Sequence, residues 1–147
     1  MPNWTHNHVA FEGSREKIIE LKELFASDEK VFDFDKIFPM PEESEDFKRE
    51  GSLDADDMDK GGNWYVWSIA NWGTKWNAVE PLLDVDNEDR LEYSFRTAWD
   101  APRGVIHKLW ESGVLSGCTD IAWECHHEFE EDVEIIIGNK GNEQESD

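Results

Sequence analysis

Apolar residues recur along this sequence with two different periods, and the order of the periods predicts the fold. Strict alternation around Val9 and Phe11 in "NHVAFEG" is typical of a strand. Residues 15–26 then repeat apolar side chains at helical spacing behind Ser14, a residue type that commonly caps helices. Later segments predict a short helix in "NWYVWSIANWG", a hairpin of "AVEPLLDVD" and "RLEYSFRTAW", a helix opened by Pro102, and two strands in "CTDIAWECHHEFEEDVEIIIG".

This order of elements predicts an α+β fold, a ferredoxin-like split βαβ sandwich with an inserted acidic loop and short helix and one extra C-terminal strand. Helices cover one sheet face in such a fold, the other face is open, and Pro81 suits an edge strand because it donates no backbone hydrogen bond. Alternation turns these strand residues toward the helices: Val9, Phe11, Leu91, Tyr93, Phe95, Ile121, Trp123, Cys125, Val133, Ile135 and Ile137. The helix after Pro102 is expected to bury Val105, Ile106, Leu109 and Trp110.

The charge balance restricts the partners of this chain. It carries 35 acidic against 14 basic residues, a formal net charge of -21. This charge disfavours direct binding to nucleic acid or to anionic membranes, so the expected partners are neutral or basic. The first residues lack the basic start and the apolar stretch of a signal peptide, and a cytoplasmic location is therefore expected.

The distribution of charge predicts the organisation of the chain. Residues 1–140 are expected to form a single domain. Residues 41–60 hold nine acidic and three basic side chains behind two prolines, and they are predicted to form an acidic surface loop. Residues 141–147 have no apolar side chain to pack and are predicted to form a disordered acidic tail.

Four tryptophans and a tyrosine fall within residues 63–78, among asparagines, a glycine and Lys75. A tryptophan buries a large ring and must satisfy one N–H, so polar neighbours that bond to the backbone favour a packed structural corner. The alternative is an aromatic platform for a base or a peptide, with Lys75 as its charged group. The residues assigned to the structural motif are Trp64, Trp67, Asn71, Trp72, Gly73, Thr74, Trp76, Asn77, Thr97 and Trp99.

The blocks "WSIANWGTKWNA" and "YSFRTAWDAPRGVI", together with "NHVAFEG" and "IFPMP", resemble the YubB-type ferredoxin-like domain family of small phage and plasmid proteins. The likeness extends over most of the chain and is greatest to short early-type proteins of T-even-like phages. It implies the ferredoxin-like fold and brings no catalytic residues. The chain departs from the family's pattern at "WECHHEFEEDVEIIIG", which replaces a tyrosine-glutamate strand and a glycine-rich return.

Polar side chains are expected on the open sheet face: His6, His8, Ser94, Arg96, Glu124, His126 and Glu128. Among them, His6, His8, His126 and Glu124 offer nitrogen and carboxylate ligands to zinc or another transition metal. Their spacing matches no standard metal motif and Arg96 would crowd a cation, so the preferred interpretation is an exposed polar surface without a metal.

Few residues of this sequence suggest catalysis. Cys118 and Cys125 lie seven positions apart and form no redox pair, and Cys125 falls on the inward side of its strand as a buried, inert thiol. The sequence contains no phosphate loop, nucleophile elbow or metalloprotease motif. No catalytic residue and no cofactor are therefore predicted.

The predicted function is that of a non-enzymatic phage accessory protein that binds a host or phage protein in the bacterial cytoplasm. Two alternatives stay open. An acidic nucleic-acid mimic would inhibit a host DNA- or RNA-binding enzyme, although it needs carboxylates on a rigid surface, and the densest acidic segments, 41–60 and the tail, are expected to be the least ordered ones. A small-ligand or metal-binding protein would use the open sheet face. The candidate partner contacts are Lys75, Arg96, Glu42, Glu43, Glu45 and Asp46.

Overall fold

The computed structural model describes residues 3–54, 57, 62–128 and 133–137, which form an α+β fold around one five-stranded antiparallel sheet. The predicted tail at 141–147 and residues 55–56 and 58–60 of the predicted acidic loop lie outside the described residues. The strands are β1 (Trp4–Gly13), β2 (Val79–Asp86), β3 (Arg90–Ala98), β4 (Cys118–His127) and β5 (Val133–Ile137).

The spatial order of the strands is β2-β3-β1-β4-β5, so β2 and β5 form the two edges. Pro81 therefore lies on an edge strand, as predicted, within an irregularity of the β2–β3 pairing, a place where a missing N–H is tolerated. The hairpin of β2 and β3 is also confirmed.

Four α-helices lie in the described part of the chain: α1 (Arg15–Phe25), α2 (Phe34–Ile37), α3 (Trp64–Asn71) and α4 (Arg103–Ser112). Ser14 Oγ accepts a hydrogen bond from Lys17 N and caps α1, as predicted. Gly113 takes the left-handed conformation, with φ of 83°, and ends α4. The sequence pattern does not predict α2, because four residues are too few to display a helical repeat.

The core lies between the helices and one face of the sheet. The predicted inward residues of the three central strands are buried: Val9, Phe11, Leu91, Tyr93, Phe95, Ile121, Trp123 and Cys125. Phe32, in irregular chain between α1 and α2, fills the middle of this core. Its ring centroid lies 4.7 Å from that of Phe25, 4.9 Å from that of Phe95 and 5.1 Å from that of Tyr93.

The prediction that β5 turns Val133 and Ile135 inward is wrong. These side chains are 52% and 62% exposed, on the open face of the sheet. The register of β5 explains the difference, because Glu134 pairs directly with the buried Cys125 and so faces the helix side. Arg103 and His127 bind the Glu134 carboxylate there, which compensates its charge.

The prediction that Trp110 is buried is also wrong, because its side chain is 53% exposed. The buried stripe of α4 runs through Val105, Ile106 and Leu109. Trp110 lies about 90° around the helix from the centre of that stripe. Its ring therefore projects past the edge of the core.

Candidate functional site

The two sequence blocks that contain "NWGTKWN" and "FRTAWDAP" meet in the structure. Gly104 N at the start of α4 donates to Trp72 O at the end of α3, at 3.0 Å. The buried Thr74 hydroxyl donates to Ala98 O at 2.6 Å. Gly73, with φ of 87°, turns the chain between these contacts, where a Cβ would come within 3.0 Å of Arg103 N. The two blocks thus hold the end of α3 against the segment from β3 to α4.

Polar atoms of the tryptophan-rich segment are bonded to the backbone, as a structural corner requires. Trp72 Nε1 donates to Phe38 O at 2.9 Å. Asn77 Oδ1 accepts from Phe34 N at 2.9 Å, and Asn77 Nδ2 donates to Asp33 Oδ1 at 2.8 Å. Burial acts to raise the pKa of Asp33, but hydrogen bonds from Asn77 and other donors outweigh it and lower the pKa. These contacts join α2, α3 and the start of β2.

The remaining members of the motif have similar partners. Trp64 Nε1 donates to Gly51 O, and Asn71 Nδ2 donates to Trp67 O. Thr97 Oγ1 donates to Asp100 O and accepts from Asn7 Nδ2. The motif residues other than Trp76 and Trp99 therefore take part in hydrogen bonds within the protein.

An aromatic and cationic group, named the end cluster, surrounds Lys75 at one end of the sheet. The end cluster consists of Trp4, Tyr65, Lys75, Trp76, Arg96 and Trp99. Lys75 Nζ lies 4.5 Å from the ring centroid of Trp76, 5.2 Å from that of Trp99 and 5.9 Å from that of Tyr65. The Arg96 guanidinium lies 4.6 Å from the ring centroid of Trp4. Lys75 and Arg96 thus each lie against an aromatic face, and the ring centroids of Trp76 and Trp4, which they contact, are 6.2 Å apart.

Trp99 is the most unusual member of the end cluster. Its backbone has φ of 77°, a conformation that a bulky residue rarely adopts. Its side chain is 44% exposed. Residues held in such conformations are concentrated at functional sites, so the backbone of Trp99 makes this end of the sheet a candidate site.

The start of the acidic loop is anchored to the protein body. Ser44 and Phe47 form an antiparallel bridge, and Phe47 is buried. Arg49 forms an ion pair with Asp35, and Arg49 N donates to Glu43 Oε1 at 2.8 Å. The start of this segment, which is expected to be among the least ordered parts of the chain, therefore has defined contacts with the protein body. The four acidic candidates around this turn are exposed: Glu42, Glu43, Glu45 and Asp46.

The histidines of the open face lie where alternation predicts. His6 and His126 are exposed directly opposite each other on β1 and β4, as are His8 and Glu124. His8 Nε2 lies 3.0 Å from Glu92 Oε1 on β3. Among the described residues, the ligand atoms of this set do not converge, and the group whose ligand atoms do converge is Cys125, His127 and Glu134.

Cys125, His127 and Glu134, named the β4–β5 cluster, lie on the helix-covered side of the sheet. Burial, and the nearby Glu134 charge, raise the pKa of the Cys125 thiol to about 12. Hydrogen bonds from Arg103 and His127 lower the pKa of Glu134 to about 2. At neutral pH the free thiol is protonated, which argues against Cys125 as a nucleophile.

A cavity of about 530 Å³ lies between the β4–β5 cluster and the end cluster, and its lining includes Trp4, Thr5, Trp99, Arg103, His127 and Glu134. Among the three residues of the β4–β5 cluster, Cys125 is considered from the sequence as an inert thiol, and His127 and Glu134 are not among the predicted site residues. The spacing of Cys125 and His127, two apart on a predicted strand, is a signal that could have joined them.

No protein family model matches the chain, and neither a search of curated proteins nor one of solved structures found a significant match. None of the helices in the described part of the chain has both the length and the apolar character needed to cross a membrane.

Proposed function

We propose that this chain is a non-enzymatic accessory protein with a ferredoxin-like fold that binds a macromolecular partner in the cytoplasm of a phage-infected bacterium. The order β1, α1, β2, β3, α4, β4 agrees with that fold, with β5 added at an edge. The likeness of the two tryptophan-containing blocks to phage and plasmid proteins supports the cellular setting. One observation carries the binding role: the sheet face that the helices leave uncovered exposes large aliphatic side chains.

The exposed aliphatic residues lie at both edges of the open face. Leu82 on β2 is 60% exposed, and Val133 and Ile135 on β5 are 52% and 62% exposed. Apolar side chains rimmed by polar ones are typical of protein interaction surfaces. The β5 strand is also an edge, so a partner segment can pair with its backbone while covering Val133 and Ile135.

The chemistry of the surroundings favours a neutral or basic protein as this partner. A net charge of -21 repels nucleic acid and anionic membranes, so neither is proposed as a direct partner. Lys75 and Arg96 do not reverse that preference, because Lys75 lies among three aromatic rings and Arg96 forms an ion pair with Glu80. The end cluster contributes aromatic surface next to the open face.

The test is affinity capture of the tagged full chain from lysates of phage-infected bacteria. We expect the wild-type chain to retain one specific protein and Ile135→Asp to bind it at least about tenfold more weakly, a loss of about 1.4 kcal/mol. The matched control is Ile19→Asp, since Ile19 is 47% exposed but lies on α1, away from the open face. Equal retention by both variants, with equal thermal stability, would refute the open face as the binding surface.

A second candidate function, the acidic nucleic-acid mimic, is supported by the anchored turn around Glu43. A mimic needs carboxylates held in place, and the Ser44–Phe47 bridge supplies such a support. The same capture separates the two candidates. A partner bound by the turn should be released by moderate salt and by joint Glu43→Gln and Glu45→Gln substitution, while a partner on the open face should remain.

Lys75→Ala tests the end cluster in the same capture. The substitution removes an ammonium group that lies against partly exposed rings, outside the buried core, so thermal stability should change little. Weaker capture at unchanged stability supports a contact at this end of the sheet. Unchanged capture rejects Lys75 as a partner contact.

A further inference from the structure

Three different metal-ligating side chains converge between the last two strands. Cys125 and His127 are two residues apart on β4 and therefore point to the same side of the sheet. Glu134 on β5 pairs directly with Cys125. The ligand atoms of the three residues, Sγ, Nε2 and Oε1, all lie within 4.8 Å of one another.

The separations of these atoms resemble those around a tetrahedral metal ion. With typical zinc bond lengths, a thiolate sulfur lies about 3.6 Å from a nitrogen or oxygen ligand, and nitrogen and oxygen ligands lie about 3.4 Å apart. Cys125 Sγ lies 3.6 Å from His127 Nε2 and 3.7 Å from Glu134 Oε1. His127 Nε2 and Glu134 Oε1 are 2.7 Å apart, so these two must separate by about 0.7 Å to admit the ion.

Neighbouring groups hold the histidine and the glutamate in a suitable orientation. The buried Thr5 hydroxyl lies 3.0 Å from His127 Nδ1, which leaves Nε2 directed at the other two ligands. A partner of this kind on the second ring nitrogen is the usual support of a metal-binding histidine. Arg103 donates to Glu134 Oε1 at 2.8 Å, as outer groups commonly do to a ligating carboxylate.

The local charge is compatible with a divalent cation. Arg103 also donates to both carboxylate oxygens of Asp100, so its positive charge has a second partner. A bound metal ion displaces the proton of a thiol. A thiolate, Glu134 and Asp100 then supply three negative charges, which a divalent ion and Arg103 balance.

We propose that the β4–β5 cluster binds a divalent transition metal ion of the zinc class through Cys125 Sγ, His127 Nε2 and Glu134. Sulfur and nitrogen ligands favour such an ion over magnesium or calcium. The ion fastens the edge strand β5 to β4, and its fourth coordination position is open to water or a small molecule from the adjoining cavity. This proposal differs from the sequence-based prediction of no metal, and it does not depend on the proposed partner.

Cobalt(II) added to the reduced, chelator-treated full chain provides the test, because thiolate coordination of cobalt gives a near-ultraviolet charge-transfer band. We expect the band to saturate at one equivalent and to disappear in Cys125→Ser. It should persist in Cys118→Ser, which changes the other buried cysteine. A wild-type chain without the band, or a Cys125→Ser chain that keeps it, would overturn the proposal.

Substitutions of the adjacent residues His126 and His127 provide a second test in case Cys125→Ser does not fold. His127→Gln should weaken cobalt binding at least about tenfold, as loss of a metal-binding contact does. His126→Gln should bind like the wild type, since His126 is exposed on the other side of the same strand. Equal affinity in the two histidine variants, each checked for folding by circular dichroism, would contradict the assignment.

Discussion

Replacing Gly104 with alanine is expected to lower the free energy of unfolding by more than about 4 kcal/mol. A Cβ at this position would lie 1.7 Å from Asn71 O and 2.7 Å from Asn71 C. Both are backbone atoms at the end of α3, so the steric clash is relieved only if α3 and α4 move apart. Separation breaks the hydrogen bond from Gly104 N to Trp72 O that joins the two sequence blocks.

Gly113→Ala is the matched control for this prediction. An added Cβ at Gly113 meets nothing within 4 Å. Because φ is 83°, the substitution is expected to lower the free energy of unfolding by about 1–2 kcal/mol, the cost of a non-glycine residue in the left-handed conformation. Urea unfolding of both variants measures the difference. Equal stability of the two proteins would contradict the close approach of α3 and α4.

Phe32→Ala is expected to lower the free energy of unfolding by about 3–5 kcal/mol. Phe32 is fully buried although it lies in irregular chain. Its ring contacts Phe25, Tyr93, Phe95 and Trp123, so truncation leaves a cavity bounded by large rings that cannot close around it.

The neighbouring Val31 is the control for the Phe32 substitution. Val31 is 36% exposed, so Val31→Ala should cost less than about 1 kcal/mol. Thermal or urea unfolding distinguishes the two positions. A Phe32→Ala protein no less stable than Val31→Ala would show that the segment between α1 and α2 does not fill the core.

The sequence predicts the long elements of this fold well and its short ones poorly. The repeats in β1, α1 and β3 are long enough to define both the element and its buried side. In β5 the pattern "VEIII" allows either orientation, because alternation places Ile135 and Ile137 on one side of the strand and Ile136 on the other. Only the pairing of Glu134 with Cys125 decides which face is buried, and pairing is not visible in the sequence.

Candidate sites were predictable to the extent that they lie within one element. Alternation correctly places His6, His8, Glu124 and His126 on one exposed face. The β4–β5 cluster depends on strand register. The end cluster depends on packing between β1, α3 and the chain after β3. These relations arise from tertiary structure, so spacing along the chain reveals no more of them than the pair Cys125 and His127 on β4.

The most direct test of the proposed binding surface places a photo-crosslinking amino acid at position 135 or at position 19 in phage-infected cells. We predict one discrete cross-linked product from position 135, with the captured protein in it, and none from position 19. The absence of a product from position 135, or the same product from both positions, would contradict a partner on the open sheet face.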